Sequence, residues 1–213
     1  MTALLFKDLR LTAHPALFFF LFFGVLLCVP GYPYGMVFFF GCLGLFFTTM
    51  NGRENGDVFF TATLPVRKGD VVRGRCALFV LVQLSQLLLS LPSAFLRPLW
   101  LPEGNVAGIE ANAAYYGFGL LSFGLFNLIF LPAFYRTAYQ VGRAFVKAMI
   151  PVALLIFIME ALSHFPDLAW LDSIRPNDQL RQLPFLAAGA MFYALATFLG
   201  CRIARHRFEQ VDL

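Results

Sequence analysis

The stretch ENGDVFFTATLPVRKGDVVRGR, residues 54–75, is the most charged segment of a very apolar chain. Long hydrophobic runs lie on both sides of it, and a Leu64-Pro65 corner at its centre is followed by basic residues. Pro65 excludes an uninterrupted helix through the corner and favours an extended conformation at Leu64. After the proline, residues 66–75 are predicted to form a short helix with an apolar and a charged side. Such a helix docks into a groove on another protein or lies among lipid headgroups, and the residues alone leave both interpretations open.

The composition around this stretch is that of a membrane protein. Of the 213 residues, 60% are hydrophobic and only 13% are charged, whereas a soluble domain carries about 25% charged residues. The apolar runs are continuous, which favours membrane helices of about 20 residues over the alternating pattern of a transmembrane barrel. We therefore predict an all-α polytopic membrane protein, with residues 1–213 forming one domain. Its six spans are expected at approximately 13–29, 34–52, 76–96, 113–135, 146–164 and 183–203.

The basic residues predict how the chain is oriented in the cell membrane. All but three of the 16 Lys and Arg residues lie in the N-terminal segment, in the loops after the second and fourth spans, or in the C-terminal tail. The exceptions are Arg97, Arg175 and Arg181. Because basic residues are retained on the cytoplasmic side, both termini are predicted to be cytoplasmic. The same distribution explains the net charge of +4 without a nucleic-acid partner.

The first twelve residues, MTALLFKDLRLT, are too polar to span a membrane. On a helical wheel Leu5, Phe6 and Leu9 share one side, and Lys7 and Arg10 share the other. We therefore predict an N-terminal helix that lies in the cytoplasmic interface, with its basic side among the lipid headgroups.

A stripe of polar residues runs along one face of the third predicted span, from Gln83 to Arg97. Polar groups at this depth tend to face the interior of a helix bundle or a wet cavity. The stripe therefore either hydrogen-bonds to neighbouring helices or lines a translocation path, and an asparagine on the fourth span is a candidate partner. The candidates for lining a path are Gln83, Gln86, Ser90 and Asn127.

The sequence offers little for chemistry. No phosphate-binding loop of the form G-x-x-x-x-G-K-[ST] occurs, so ATP hydrolysis is not expected of this chain. Glu160 and His164, four residues apart near the outer end of the fifth span, could form an acid/base pair or half of a metal site. No second constellation completes such a site, so we predict no catalytic residue, no metal and no bound cofactor. The four cysteines lack paired spacing and are expected to pack as small apolar residues.

Three segments resemble the small six-helix permeases of the ABC-2 type, which are membrane subunits of two-component ABC exporters. LLFKDLRL (4–11) resembles the interfacial N-terminal segment of that family, and LPAFYRTAYQVGRAFVKAMI (131–150) resembles the end of its fourth span and the short loop that follows. The distinctive match is TATLPVRKGDVVRGR (61–75), which resembles a Leu-Pro-Val corner followed by a basic helix. At the position of Arg67 the family commonly has serine, and a serine there is suited to cap the helix that follows.

The resemblance implies the permease subunit of an ATP-driven exporter. Its substrate is not identified, and the aromatic content of 17% favours an amphipathic, peptide-like or lipid-like one. The expected partners of the subunit are separate ABC ATPase subunits, which carry ATP and Mg²⁺, and a second permease copy or homologue in the lipid bilayer. The ATPase is expected to dock on a cytoplasmic coupling helix between spans two and three. The alternatives are a membrane enzyme acting on lipids through Glu160 and His164, and a scaffold or sensor that transports nothing. The coupling candidates are Glu54, Leu64, Pro65, Val66, Arg67, Lys68, Asp70 and Val71.

Overall fold

The computed structural model describes residues 2–100, 102 and 104–211. None of these residues is in a β-strand, which confirms the all-α prediction. α1 continues into a π-helical turn, Asp8–Thr12, and α2 continues into a 3₁₀ segment, Phe22–Cys28. The α-helices are α1 (Thr2–Lys7), α2 (Pro15–Leu21), α3 (Met36–Glu54), α4 (Asp57–Ala62), α5 (Lys68–Trp100), α6 (Ala113–Phe134), α7 (Val141–Leu162), α8 (Ala169–Asp172) and α9 (Pro176–Glu209).

The chain runs back and forth between two ends of one bundle. We name one the α4 end, which comprises α1, α4, the start of α5, residues 135–140 and the C-terminal part of α9. The other is the loop end, which comprises residues 29–35, 104–112 and 163–175. At the α4 end Lys68 Nζ donates a hydrogen bond to the carbonyl of Val211, at 2.6 Å. Both ends of the described chain therefore lie at the α4 end.

Within the described residues, α5, α6, α7 and α9 are long and apolar enough to cross a membrane, which makes the chain a multi-pass membrane protein. α5 has 33 residues and α9 has 34, so each is about 50 Å long and exceeds a hydrocarbon core of about 30 Å. α3 lies where the second span is predicted but is not among these four helices, since its 19 residues include the polar last turn NGRE. The count of six spans stays a prediction.

The segment predicted to contain the first span is bent. Ala3–Thr12 and Pro15–Cys28 meet at 100° and count as a fifth candidate span only if taken together. Pro15 starts α2, and the His14 Nδ1 accepts the Ala16 backbone N–H at 3.1 Å. Because its second half is a 3₁₀ helix, Pro15–Cys28 reaches about 25 Å with few residues. The N-terminal helix is therefore a separate arm, and its position in the lipid interface stays a prediction.

Small residues bring α6 and α9 into direct backbone contact. A Cβ atom added to Gly189 would lie 2.5 Å from the carbonyl oxygen of Gly117. One added to Gly200 would lie 2.8 Å from the carbonyl oxygen of Asn127. Larger side chains would force the two helices apart, since membrane helices pack closely through such residues.

The short helix between the second and third predicted spans lies before the Leu64-Pro65 corner, not after it. α4 ends at Ala62, and the segment predicted as a separate helix after Pro65 instead forms the first turns of α5. No proline interrupts α5 before Pro92, so the helix continues once it starts at Lys68. The break upstream falls at Gly56, whose φ of 64° is left-handed and favours glycine.

The expectation that all four cysteines are unpaired is wrong for two of them. Cys76 of α5 and Cys201 of α9 form a disulfide across 125 residues of sequence, whereas Cys28 and Cys42 are free. Sequence spacing does not reveal this pair because only tertiary packing brings the two helices together.

Candidate docking surface and its buried charge cluster

α4 has its polar side inside and its aromatic side outside. Asp57 and Thr61, one turn apart, are buried against the bundle, while Phe59 is 61% and Phe60 56% exposed. A short helix that faced only water would be expected to turn the other way. An aromatic pair exposed in this manner marks a surface that meets a partner or the membrane boundary.

The buried side of α4 completes a cluster of four charges. Lys7 Nζ lies 2.6 Å from Asp57 Oδ1 and 3.2 Å from Asp8 Oδ1. Arg75 Nη2 lies 2.8 Å from Asp57 Oδ2, and Arg75 Nε lies 3.3 Å from Asp8 Oδ2. Thr61 Oγ1 accepts a further hydrogen bond from Lys7 Nζ at 2.8 Å. We call Lys7, Asp8, Asp57 and Arg75 the four-charge cluster.

The four-charge cluster ties three elements of the α4 end together. Its side chains are at most 13% exposed, so each charge has lost most of its hydration. A buried charge without a partner is strongly destabilising, and here each carboxylate contacts both cations. The cluster comes from α1 with its π-helical turn, α4 and α5, so a displacement of α4 acts directly on the other two.

The cluster corrects the predicted orientation of the N-terminal helix. Lys7 was expected among the headgroups, but its side chain points into the bundle and binds Asp57. Phe6, expected on the opposite side, is 61% exposed, and Arg10 lies over its ring. The physical reason is the ion pair to α4, which outweighs the amphipathic pattern, together with the π-helical turn that starts at Asp8.

The connection from α4 to α5 extends the exposed surface. Residues 63–67 are all exposed, and Leu64 and Val66 present apolar side chains beside the charged Arg67. This segment follows directly on the helix that exposes two phenylalanines. We define the docking surface as Phe59, Phe60, Leu64, Pro65, Val66 and Arg67.

The structure divides the eight predicted coupling residues into two groups. Glu54 and residues 64–67 are exposed, Glu54 beside Arg53 at the end of α3. Lys68, Asp70 and Val71 are half-buried in the first turn of α5. Lys68 holds the Val211 carbonyl, and Asp70 pairs with Arg73 at 3.2 Å.

No role was predicted from the sequence for Phe59, Phe60, Asp57 and Asp8. A signal for α4 was present, because Asp57 and Thr61 stand four residues apart with two phenylalanines between them, directly after an Asn-Gly break. The role of Asp8 has no such local signal, since its partner Arg75 is distant in sequence.

The predicted polar stripe is buried and bonded to other helices. Gln83 and Asn127 exchange two hydrogen bonds of 2.8 Å, and Tyr193 donates to Gln83 Oε1 at 2.9 Å. Gln86 Nε2 donates to the Val37 carbonyl at 2.9 Å. Ser90 Oγ lies 3.1 Å from the hydroxyl of a tyrosine on α6. In this conformation the stripe joins α5 to α3, α6 and α9, and its role in a path stays a prediction.

Glu160 and His164 do not pair through their side chains. The Glu160 carboxylate accepts the backbone N–H groups of Gly35 at 2.5 Å and Ile109 at 3.1 Å. His164 Nδ1 lies 3.2 Å from the Glu160 backbone carbonyl instead. The described residues contain no group of three potential metal ligands. Glu160 thus binds two connections of the loop end, residues 29–35 and residues 104–112.

A second buried ion pair lies at the loop end. Arg97 Nη1 is 2.6 Å from Glu110 Oε2, and Arg97 Nε donates to the Tyr34 hydroxyl at 2.9 Å. Asp172 Oδ1 accepts the Glu110 backbone N–H at 2.7 Å. Burial raises the pKa of Asp172 to about 6, although the N–H of Glu110 opposes this shift.

The model of a family described as ABC-2 family transporter protein matches residues 3–204, which include the docking surface, the four-charge cluster and the polar stripe. Neither the curated proteins nor the solved structures gave a significant match.

Proposed function

We propose that this chain, which belongs to the ABC-2 transporter family, is the permease subunit of an ATP-driven exporter whose ATPase is a separate polypeptide. Permeases of this family are membrane components of transporters that associate with an ABC ATPase. ATP and Mg²⁺ bind to that partner. The aromatic content of 17% favours an amphipathic, peptide-like or lipid-like substrate, whose identity we leave open.

The observation that carries the proposal is the arrangement of α4. Its outer side, with residues 64–67, offers an apolar and basic surface to a partner. Its inner side is fixed to α1 and α5 through the four-charge cluster. When the ATPase closes on nucleotide, it displaces α4, and the cluster transmits the displacement to α5, a helix of 33 residues. The Leu64-Pro65 corner separates α4 from α5, so α4 does not continue into α5 as one helix.

We also propose a topology for the chain in the membrane. The α4 end faces the cytoplasm with both termini, because it holds most of the basic residues. The chain crosses the cell membrane six times, with α3 and the segment Pro15–Cys28 as the second and first spans. A second permease copy completes the translocation route, and the pair formed by Gln83 and Asn127 becomes accessible when α5 and α6 separate.

Co-purification with a matched control tests the docking surface. Val66→Asp places a charge in the exposed apolar surface, and Val106→Asp makes the same change at the loop end, where Val106 is 81% exposed. The unmodified chain and the two variants are each extracted from native membranes in mild detergent, and the ATPase recovered with each is quantified.

We expect equal recovery of ATPase with the unmodified chain and with Val106→Asp, and a loss of about tenfold or more with Val66→Asp, as for a charge placed in a desolvated contact. Equal recovery with both variants would refute docking at α4. Recovery of no ATPase with any chain, under conditions that preserve other ABC complexes, would refute the two-component exporter itself.

A further inference from the structure

A second feature of the α4 end is an open groove apart from the docking surface. It lies where the C-terminal end of α6, the N-terminal end of α7 and the C-terminal part of α9 meet, and its volume is about 760 Å³. Ligand sites of this size are common in proteins. Four cationic side chains line it, Arg136, Arg143, Lys147 and Arg207, with no carboxylate among the lining residues.

The positive charge of this groove is not neutralised by the described part of the chain. None of the four cations forms an ion pair with a described residue, in contrast to the four-charge cluster. Arg207 donates to the Pro132 carbonyl at 2.8 Å, and Arg143 donates to Gln140 at 3.2 Å. α7 begins in the groove, and its N-cap residue Gln140 makes no side-chain capping bond, so the helix dipole adds to the positive potential.

Apart from Thr137 and Gln140, which belong to the connection and its end, the remainder of the groove is apolar and extends along the spans. Leu128, Ile129 and Ile203 line it. Leu128 lies about 9 Å before the end of α6, and Lys147 lies about 9 Å inside α7. The groove therefore runs from the ends of the helices toward the depth of the hydrocarbon. A soluble acidic peptide would satisfy the cations but would leave this apolar floor without a partner.

We propose that the groove binds one anionic phospholipid, with its phosphate among the four cations and an acyl chain along the apolar floor. Basic grooves between membrane helices recognise lipid headgroups through charge, and the aliphatic stems of arginine and lysine cover the upper part of the chain. The bound lipid fixes the α6–α7 connection relative to α9. This inference concerns a site on α6, α7 and α9, and it does not depend on the docking of an ATPase at α4.

Binding is measured on the purified full chain in neutral detergent, by native mass spectrometry and by titration with a fluorescent phosphatidylglycerol. Phosphatidylcholine and inorganic phosphate are the comparison ligands. The groove variant is Arg143→Gln/Lys147→Gln. The matched control is Arg202→Gln/Arg205→Gln, which removes the same charge from another part of α9 near Arg73.

We expect one phosphatidylglycerol to bind per chain. Its affinity should fall about tenfold or more in the groove variant and less than about twofold in the control. Ile203→Trp, which keeps every charge at a position 40% exposed, should weaken the lipid and spare inorganic phosphate. Melting temperatures in neutral detergent verify folding, and Arg136→Gln in the exposed connection replaces the double variant if that one unfolds.

Three results would overturn the proposal. An equal loss in the groove and control variants would show diffuse attraction to charge. Displacement of the lipid by inorganic phosphate, with no effect of Ile203→Trp, would show a site for free anions. Unchanged lipid binding together with lost recovery of a protein partner in the groove variant would show that the groove docks a protein.

Discussion

The two ends of the bundle both bury charges, but they stabilise them in different ways. At the α4 end, two cations meet two carboxylates, and all four groups are side chains from three different elements. At the loop end a single guanidinium, Arg97, faces Glu110. Two further carboxylates there accept backbone N–H groups, Glu160 from Gly35 and Ile109, and Asp172 from Glu110.

In the coupling that we propose, this difference lets the α4 end transmit motion while the loop end stays closed. Ion pairs between side chains connect α1, α4 and α5, while α4 keeps an exposed aromatic face. Carboxylates bound to backbone N–H groups fix the connections of the loop end in place. Burial at this end raises the pKa of Asp172 to about 6.

The largest expected effect is the loss of the arginine from the four-charge cluster. Arg75→Met leaves Asp8 and Asp57 sharing only Lys7, and we expect the free energy of unfolding to fall by about 3–5 kcal/mol. Unfolding by denaturant in detergent micelles measures this change. The control is Arg73→Met, which removes an exposed pair with Asp70 and should cost less than about 1 kcal/mol. Similar losses in both variants would contradict the claim that the cluster holds the α4 end together.

A smaller effect is expected in the middle of the bundle, between the two ends. A double-mutant cycle with Gln83→Leu and Asn127→Leu should give a coupling energy of about 1–2 kcal/mol, since the two side chains exchange two buried hydrogen bonds. If the pair also lines the path, the double variant will change substrate transport more than stability. A coupling energy near zero would mean that the two amides are separated in the functional complex.

The smallest expected effect is a pH dependence at the loop end. The pKa of Asp172 is about 6 in the folded chain and 3.8 for an unperturbed aspartate. Between these two pH values the folded chain therefore retains a proton that the unfolded chain has released. The stabilisation is complete below pH 3.8 and is lost as the pH rises through about 6. Because Asp172 is only half-buried, we expect about 1 kcal/mol or less.

The measurement is the unfolding free energy of the unmodified chain minus that of Asp172→Asn, followed from pH 4 to 7.5. The difference should fall with rising pH. A difference that is constant, or that rises, would show that solvent or Arg97 compensates the carboxylate.

Composition was sufficient to predict the class of fold and most of the helices. Continuous apolar runs determine α6 and α7 because a bilayer requires every backbone group to be bonded within the helix. The boundaries near polar segments were less predictable. The first residues after Pro65 could form a separate helix or the start of α5, and a helix once nucleated extends through Gly69 and Gly74 toward the span.

The contacts within the candidate docking segment were not predictable from the sequence, and its role in docking stays a prediction. The Leu64-Pro65 corner and its basic flank identified the segment. The contacts of Asp8 with Arg75 and of Lys7 with Asp57 could not be found, because helical-wheel reasoning places residues on a helix without its neighbours. The same holds for the disulfide between Cys76 and Cys201, which only the packing of α5 on α9 reveals.

The most direct test of the docking claim is hydrogen exchange of the purified chain with and without the ATPase recovered from native membranes. The account predicts slower exchange at the amides of residues 57–67 when the ATPase binds, and no change at residues 104–110 of the loop end. Protection that appears at 104–110, or that spares 57–67 in a complex of confirmed stoichiometry, would contradict the assignment of α4 as the site where the ATPase docks.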